Sequence, residues 1–136
     1  VYKKSNRGRH SILGTTGVSS ISVPLKTLEK VIEELLPSES TIDFMKMDVE
    51  GYEPFVLRGG QSVLGRVECM LMEYAPHLIE QSGVDLREFI VNIRSNFSYI
   101  YWVSETGFVA ISVDEVLSRK DAIDLLFSKS PLASIA

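Results

Sequence analysis

The stretch IDFMKMDVEGYE, residues 42–53, decides the fold. Residues 42–49 are mostly apolar and bounded by turn signals, which predicts a strand buried on both faces within a parallel sheet. Gly51 permits a sharp turn after that strand. Pro54 suits the first turn of a helix that begins at Glu53, and Gly59 and Gly60 end it. The block therefore predicts a strand, a tight turn and a short helix.

Before this block, apolar residues recur at helical spacing between Leu25 and Leu36. Thr27 is the expected N-cap of that helix, and Pro37 stops it. A short strand is predicted just upstream, at residues 20–23. After the block, residues 67–74 form a second apolar run without alternation, which predicts another buried strand. We expect it to lie beside residues 41–48 and parallel to them, with the intervening helix as the crossover.

The later part of the chain continues the alternation. Asp85 and Glu88 form a capping pattern before a helix that extends to Phe97. Residues 99–103 and 122–128 are predicted strands, and Ser112 with Glu115 marks a short capped helix between them. Helices and strands in this order predict an α/β domain with a mainly parallel sheet.

Composition fits one ordinary globular domain: 136 residues, of which 45% are hydrophobic and 24% charged. No apolar run approaches the roughly 20 residues that cross a bilayer, so no membrane association is expected. Cys69 is the single cysteine and forms no internal disulfide, which fits a cytoplasmic location. Together with His10 and His77 it gives no metal-ligand spacing, and we expect no metal site.

Charge is distributed unevenly along the chain. The first nine residues carry +4, and because the total is −4, the remainder carries −8. An acidic body of this kind argues against a nucleic-acid partner. Residues 1–19 are polar and rich in Gly, Ser and Thr, which predicts an N-terminal arm, with residues 20–136 forming the α/β domain.

Two carboxylates, Asp48 and Glu50, follow the predicted strand at its carboxyl end. Ligands of open α/β sheets bind beyond such ends, so this pair is a candidate catalytic site. The alternative is that both acids only cap the next helix, whose amino end favours negative charge. A metal-dependent phosphatase of the haloacid-dehalogenase type also carries an acid pair after a strand. Here the second acid is Glu50 and Tyr52 follows the glycine, so the match is poor.

The wider pattern closely resembles the FkbM family of S-adenosylmethionine-dependent methyltransferases. The resemblance runs from about Ser20 to Lys129. It rests on these segments: VPLKTLE (23–29), IDFMKMDVEGYE (42–53), VLRGG (56–60), MEY (72–74) with Pro76, His77 and Leu78, and DLLF (124–127).

The resemblance implies a Rossmann-like sheet whose final strand is antiparallel. It also implies methyl transfer from S-adenosylmethionine to a small-molecule acceptor, commonly an oxygen of a sugar. Carried over by position, Asp48 and Glu50 would face the reacting centre. Glu73, at the end of the next strand, would contact the substrate, and His77 is a further candidate substrate contact.

The chain departs from the family pattern before Ser20, where no apolar strand with a glycine-rich turn is present. We therefore expect a C-terminal part of the methyltransferase fold that binds S-adenosylmethionine weakly or not at all by itself. An unpaired strand edge would favour a homo-oligomer. A non-catalytic remnant that serves binding or oligomerisation stays open as the alternative function.

Overall fold

The structure is a computed structural model that describes residues 23–132. The predicted arm at residues 1–19 and nearly all of the strand predicted at residues 20–23 lie outside this range. Eleven elements follow one another in the described part. They are α1 (Leu28–Leu35), β1 (Ile42–Met47), α2 (Glu53–Arg58), α3 (Gln61–Leu64), β2 (Val67–Tyr74), α4 (Pro76–Gln81), α5 (Leu86–Arg94), β3 (Tyr99–Ser104), β4 (Gly107–Ala110), α6 (Val113–Ser118) and β5 (Ile123–Ser128).

The helix boundaries follow the capping residues. The hydroxyl of Thr27 accepts a hydrogen bond from the backbone N–H of Lys30 and starts α1, which ends before Pro37. The carboxylate of Asp85 accepts the backbone N–H of Glu88 and starts α5. Ser112 forms both bonds of a capping box at α6. These caps confirm the predicted helix starts, because each satisfies an amide that the first turn leaves without a partner.

The five strands form one sheet in the order β1-β2-β5-β3-β4. The strands β1 and β2 are adjacent and parallel, as predicted, with Ile42 opposite Val67 and Met47 opposite Met72. The other three pairings are antiparallel. The prediction of a mainly parallel sheet is therefore wrong, although the α/β class and the antiparallel final strand are confirmed.

Two features of the chain path explain the antiparallel pairings. First, β5 lies between β2 and β3 and runs against both, so strands that follow one another along the chain are not neighbours. Second, β4 returns beside β3 through a tight turn, a hairpin that the sequence analysis missed. The strands β1, β2 and β3 nevertheless all point the same way, so their carboxyl ends lie at one edge of the sheet.

The core lies on one face of the sheet. Met70, Met72 and Tyr74 of β2 are fully buried on that face, and all six helices contribute side chains to the same cluster. The opposite face is more open: the side chain of Phe44 on β1 is 55% exposed. The prediction that β1 is buried on both faces is therefore wrong. In the described residues this strand is an edge that pairs only with β2.

Between residues 23 and 132, none of the helices combines the length and the apolar character needed to cross a lipid bilayer.

Candidate functional site

Acidic side chains collect where the parallel-running strands end. Asp48 and Glu50 follow β1 directly, and Glu73 is the penultimate residue of β2. Asp124, near the start of β5, lies opposite Glu73 in the sheet register. The structure thus brings Asp48, Glu50 and Glu73 to one edge, as the sequence predicts. Asp124 was missed, because its position depends on the antiparallel insertion of β5.

The turn between β1 and α2 has unusual backbone geometry. The carbonyl of Val49 accepts the N–H of Tyr52 at 3.3 Å, and the two central residues have positive φ, 55° for Glu50 and 91° for Gly51. Both signs are those of a type I′ turn. Within residues 23–132, Glu50 is the only residue other than glycine with positive φ. Such a conformation costs an L-residue on the order of 1–2 kcal/mol and is concentrated at functional sites.

Gly51 fixes this turn against the rest of the fold. A Cβ atom at residue 51 would lie 2.6 Å from the Cβ of Leu78 on α4. The contact requires glycine for space as well as for its positive φ. The loop that carries Asp48 and Glu50 is therefore packed tightly onto α4.

Glu53 supports the turn from inside the protein. Its side chain is only 1% exposed, and Oε1 accepts the N–H of Val49 at 3.1 Å. Within the part of the chain that the structure describes, Oε2 is buried without a hydrogen-bond partner. Burial raises the pKa of Glu53, while the nearby backbone amides act in the opposite direction. From the sequence, Glu53 was predicted only to be the first residue of a helix; its acid-Gly-x-Glu spacing is the signal that could have marked it.

The charges of the neighbouring acidic residues act on Glu73. Burial raises the pKa of Glu73, and four neighbouring carboxylates raise it further by their charge: Asp48, Glu50, Glu53 and Asp124. Lys46 partly compensates this negative charge, because its Nζ lies 2.9 Å from Oδ2 of Asp48. The hydrogen bond to Asp48 is the main reason that the pKa of Lys46 is raised. We call these strand-end carboxylates, Asp48, Glu50, Glu73 and Asp124, the acidic edge; among the described residues Lys46 forms an ion pair with it.

From its place behind Pro76 after a strand end, the candidate substrate contact His77 is predicted to lie in a loop, and this prediction is wrong. It lies in the first turn of α4, which begins at Pro76. Its side chain is exposed and, within residues 23–132, makes no hydrogen bond or ion pair with the acidic cluster. Nearby Tyr74 ends β2 with its hydroxyl buried and without a partner among the described residues. Burial, with a smaller effect of the Glu80 charge, raises the pKa of Tyr74.

An apolar groove of about 400 Å³ adjoins the turn. One wall comes from the start of α1 and the segment before it, and the other from the turn and α2. The lining includes Leu25, Val31, Val49, Tyr52 and Phe55. The acidic edge therefore has an apolar surface directly beside it, a combination that is typical of small-molecule sites.

A metal centre was not expected from the sequence. Within residues 23–132 no group of three or more His, Cys, Asp or Glu side chains is arranged to hold a metal ion.

Comparison with protein families gives one match: the family described as "Methyltransferase FkbM domain" covers residues 1–108. The matched region contains β1, the acidic turn, α2 and β2. It also includes the polar first segment and stops before α6 and β5. No curated protein and no solved structure matched the chain.

Proposed function

We propose that this chain, which belongs to the FkbM methyltransferase family, takes part in transferring a methyl group from S-adenosylmethionine to an oxygen of a sugar or another small metabolite. The observation that supports this most is the acidic edge. Two carboxylates leave β1 on a strained turn, and Glu73 of the neighbouring parallel strand joins them. Ligands of α/β sheets bind beyond such strand ends.

The side chains present suit the groups they would meet. S-adenosylmethionine has an ammonium group and ribose hydroxyls, and a sugar acceptor has hydroxyls. Carboxylates accept hydrogen bonds from all of these donors, most strongly from a charged one. The apolar groove beside Tyr52 offers a surface for a less polar part of either molecule. Asp48, Glu50 and Glu73 therefore fit this cofactor and this class of acceptor.

Asp48 and Glu50 have the catalytic role in this proposal. When bound, S-adenosylmethionine supplies an electrophilic methyl group. The acceptor hydroxyl would exchange its proton for that methyl group, so a base at the site must take the proton. A carboxylate at the reacting centre accepts that proton, a form of general base catalysis worth about 10²–10⁴-fold. Glu73 and the exposed His77 would contact the acceptor from the β2–α4 side.

Methyl transfer is the direct test. Protein expressed from its complete reading frame is incubated with S-adenosylmethionine labelled at the methyl group and with a panel of monosaccharides and sugar nucleotides. We expect label in at least one acceptor. Binding of the cofactor without transfer to any acceptor would favour the non-catalytic alternative, and absence of both binding and transfer would overturn the proposal.

We expect the 136-residue chain alone to bind S-adenosylmethionine weakly or not at all. Its sequence before Ser20 contains no apolar stretch followed by a glycine-rich turn, and each lost charge-assisted hydrogen bond costs about 1.5–3 kcal/mol. Losing two or three would move a micromolar site to millimolar or weaker, at tenfold for each ~1.4 kcal/mol. Titration calorimetry measures this directly. A low-micromolar dissociation constant would contradict the expectation.

We further propose that the chain forms a homo-oligomer in the cytoplasm. The single cysteine fits that compartment. Among the described residues β1 is an edge strand with an exposed Phe44, and unpaired edges of this kind invite pairing with a second copy. Light scattering is expected to give a mass of at least two chains. A stable monomer at high concentration would contradict this.

A further inference from the structure

Glu53 is buried more deeply than helix capping requires. As the first residue of α2 it would gain from the positive end of that helix even if it pointed into solvent. Its side chain is instead 1% exposed. One oxygen is bonded to the amide of Val49 and the other has no partner among the described residues. Burying a carboxylate in this way costs stability, so the arrangement calls for a reason other than the helix.

The hydrogen bond between Glu53 and the Val49 amide shows which part of the turn Glu53 supports. Val49 is the first residue of the type I′ turn, and its carbonyl closes the turn by accepting the N–H of Tyr52. Its N–H points the other way, to Oε1 of Glu53. Glu53 therefore binds the first residue of the turn at a point between Asp48 and Glu50.

The turn needs such support because it is strained. Glu50 has a φ of 55°, a conformation that side chains other than those of Gly, Asn and Asp rarely adopt. Strained backbone persists only where surrounding contacts over-determine it. Two contacts do so from opposite ends: Gly51 packs on Leu78, and Glu53 holds Val49. Only the second one depends on a polar side chain.

We propose that Glu53 is a positioning residue, whose buried carboxylate holds Val49 and thereby sets the direction of Asp48 and Glu50 toward the ligand. This role rests on the proposed methyl-transfer function. It requires the reach of a five-atom side chain, because the carboxylate must extend from the start of α2 back to Val49. Charge alone does not provide it.

Two variants distinguish the length of the side chain at residue 53 from its charge. Glu53→Gln keeps the length and one carbonyl oxygen that accepts the Val49 N–H. Glu53→Asp keeps the charge but is one methylene shorter. Amide hydrogen exchange by NMR should show the Val49 and Tyr52 amides exchanging at least about tenfold faster in Glu53→Asp, the expected result of losing a bond to a charged group. In Glu53→Gln their protection should largely remain.

The matched control is Glu115→Asp in α6. Glu115 also bonds a backbone amide upstream of its helix, that of Ser112. Shortening it should affect α6 and leave the Val49 and Tyr52 amides unchanged. Equal loss of protection in Glu53→Gln and Glu53→Asp, or no loss in Glu53→Asp, would overturn the proposal.

A kinetic measurement completes the test with protein expressed from its complete reading frame. Glu53→Asp should lower kcat about 100-fold with little change in KM, because misplacement of the reacting groups by about 1 Å costs rate at that scale. Glu53→Gln should keep most of the wild-type kcat. The exchange measurement needs no cofactor, so it decides the role of Glu53 even if no methyl transfer is found. Conversely, transfer that is unaffected in Glu53→Asp would leave the proposed function standing and remove Glu53 from it.

Discussion

Two turns that lead from a strand into a helix carry similar glutamates in opposite environments. In the β1–α2 turn, Glu53 accepts the N–H of Val49 at 3.1 Å and is buried. In the β4–α6 turn, Glu115 accepts the N–H of Ser112 at 2.8 Å and is exposed. Burial raises the pKa of Glu53. Hydrogen bonds from the Ser112 side chain and backbone lower the pKa of Glu115.

The two turns differ in how well they follow the rules that stabilise local structure. The β4–α6 turn satisfies the local rules: a full capping box, no strained residue and a carboxylate in water. The β1–α2 turn breaks three of them. Glu50 has a positive φ, Glu53 is a buried acid, and one oxygen of Glu53 has no hydrogen-bond partner among the described residues. Proteins tend to violate local rules at functional sites and compensate elsewhere. This contrast supports our proposal that the first turn belongs to the site, and it gives no such support for the second turn.

The largest expected effect is on methyl transfer. Asp48 and Asp114 are both exposed aspartates paired with a cation, Lys46 and Arg87 respectively. Asp48→Asn should lower kcat/KM at least about 100-fold, because it removes a proton acceptor at the reacting centre. Asp114→Asn should leave the rate unchanged. Equal rates for the two variants in a labelled-methyl assay would remove the functional distinction between the turns.

The second prediction concerns packing at the strained turn. Gly51→Ala places a Cβ 2.6 Å from that of Leu78, and overpacking of this kind costs about 1–3 kcal/mol. Gly83→Ala is the matched control, since Gly83 also has positive φ but nothing within 4 Å of the added Cβ. Urea unfolding should show a larger loss of stability for Gly51→Ala. Identical losses would mean that the turn is not pressed onto α4.

Relief of the strain at Glu50 should change the free energy of unfolding by a smaller amount than Gly51→Ala does, and should raise it. Glu50→Gly removes the cost of a positive φ and should raise the free energy of unfolding by about 1 kcal/mol, while lowering the methyl-transfer rate. Glu105, in the β3–β4 turn, has no positive φ, so Glu105→Gly should slightly lower stability instead. Urea unfolding of both variants distinguishes them; a loss of stability in Glu50→Gly would show that the turn stores no strain.

The smallest expected effect is on the pH dependence of stability. The raised pKa of Glu53 means that the native state binds its proton more tightly than the unfolded chain does. The stability of the wild type relative to Glu53→Gln should therefore increase as pH falls from 7 toward the usual Glu pKa of about 4.3.

For Glu115 the sign is reversed. Its lowered pKa contributes stability that is present above the usual Glu range and is lost as pH falls through the folded pKa. The stability of the wild type relative to Glu115→Gln should therefore decrease with acidification. Thermal unfolding between pH 7 and pH 4 gives the difference in stability between the wild type and each of the two variants, Glu53→Gln and Glu115→Gln. If both differences change in the same direction with pH, the opposite pKa shifts of Glu53 and Glu115 are contradicted.

Local sequence signals predicted the elements well. Thr27, Asp85 and Ser112 mark helix starts because capping depends on neighbours within three residues. The parallel pairing of β1 and β2 follows from their composition and the helices between them. The short helices α3 and α4 were missed, since runs of four and six residues show too little periodicity.

Long-range features could not be predicted in the same way. The insertion of β5 between β2 and β3, which places Asp124 beside Glu73, leaves no mark in either strand's own sequence. The exposure of Phe44 depends on which strands flank β1 and not on its apolar neighbours. The acid pair Asp48 and Glu50 was identified because its signal is local. The burial of Glu53 was not, because burial depends on tertiary packing that its neighbours in the sequence do not reveal.

The proposed function depends above all on binding of the methyl donor and acceptor by the acidic edge, and by the β1–α2 turn in particular. The most direct test is a titration of ¹⁵N-labelled protein, expressed from its complete reading frame, with S-adenosylmethionine, followed by NMR amide shifts. We expect shift changes centred on Val49, Gly51 and Tyr52 and on the end of β2 at Glu73, with the amides of Ser112 and Glu115 unchanged. No shift change at millimolar cofactor, or changes confined to the β4–α6 turn, would contradict it.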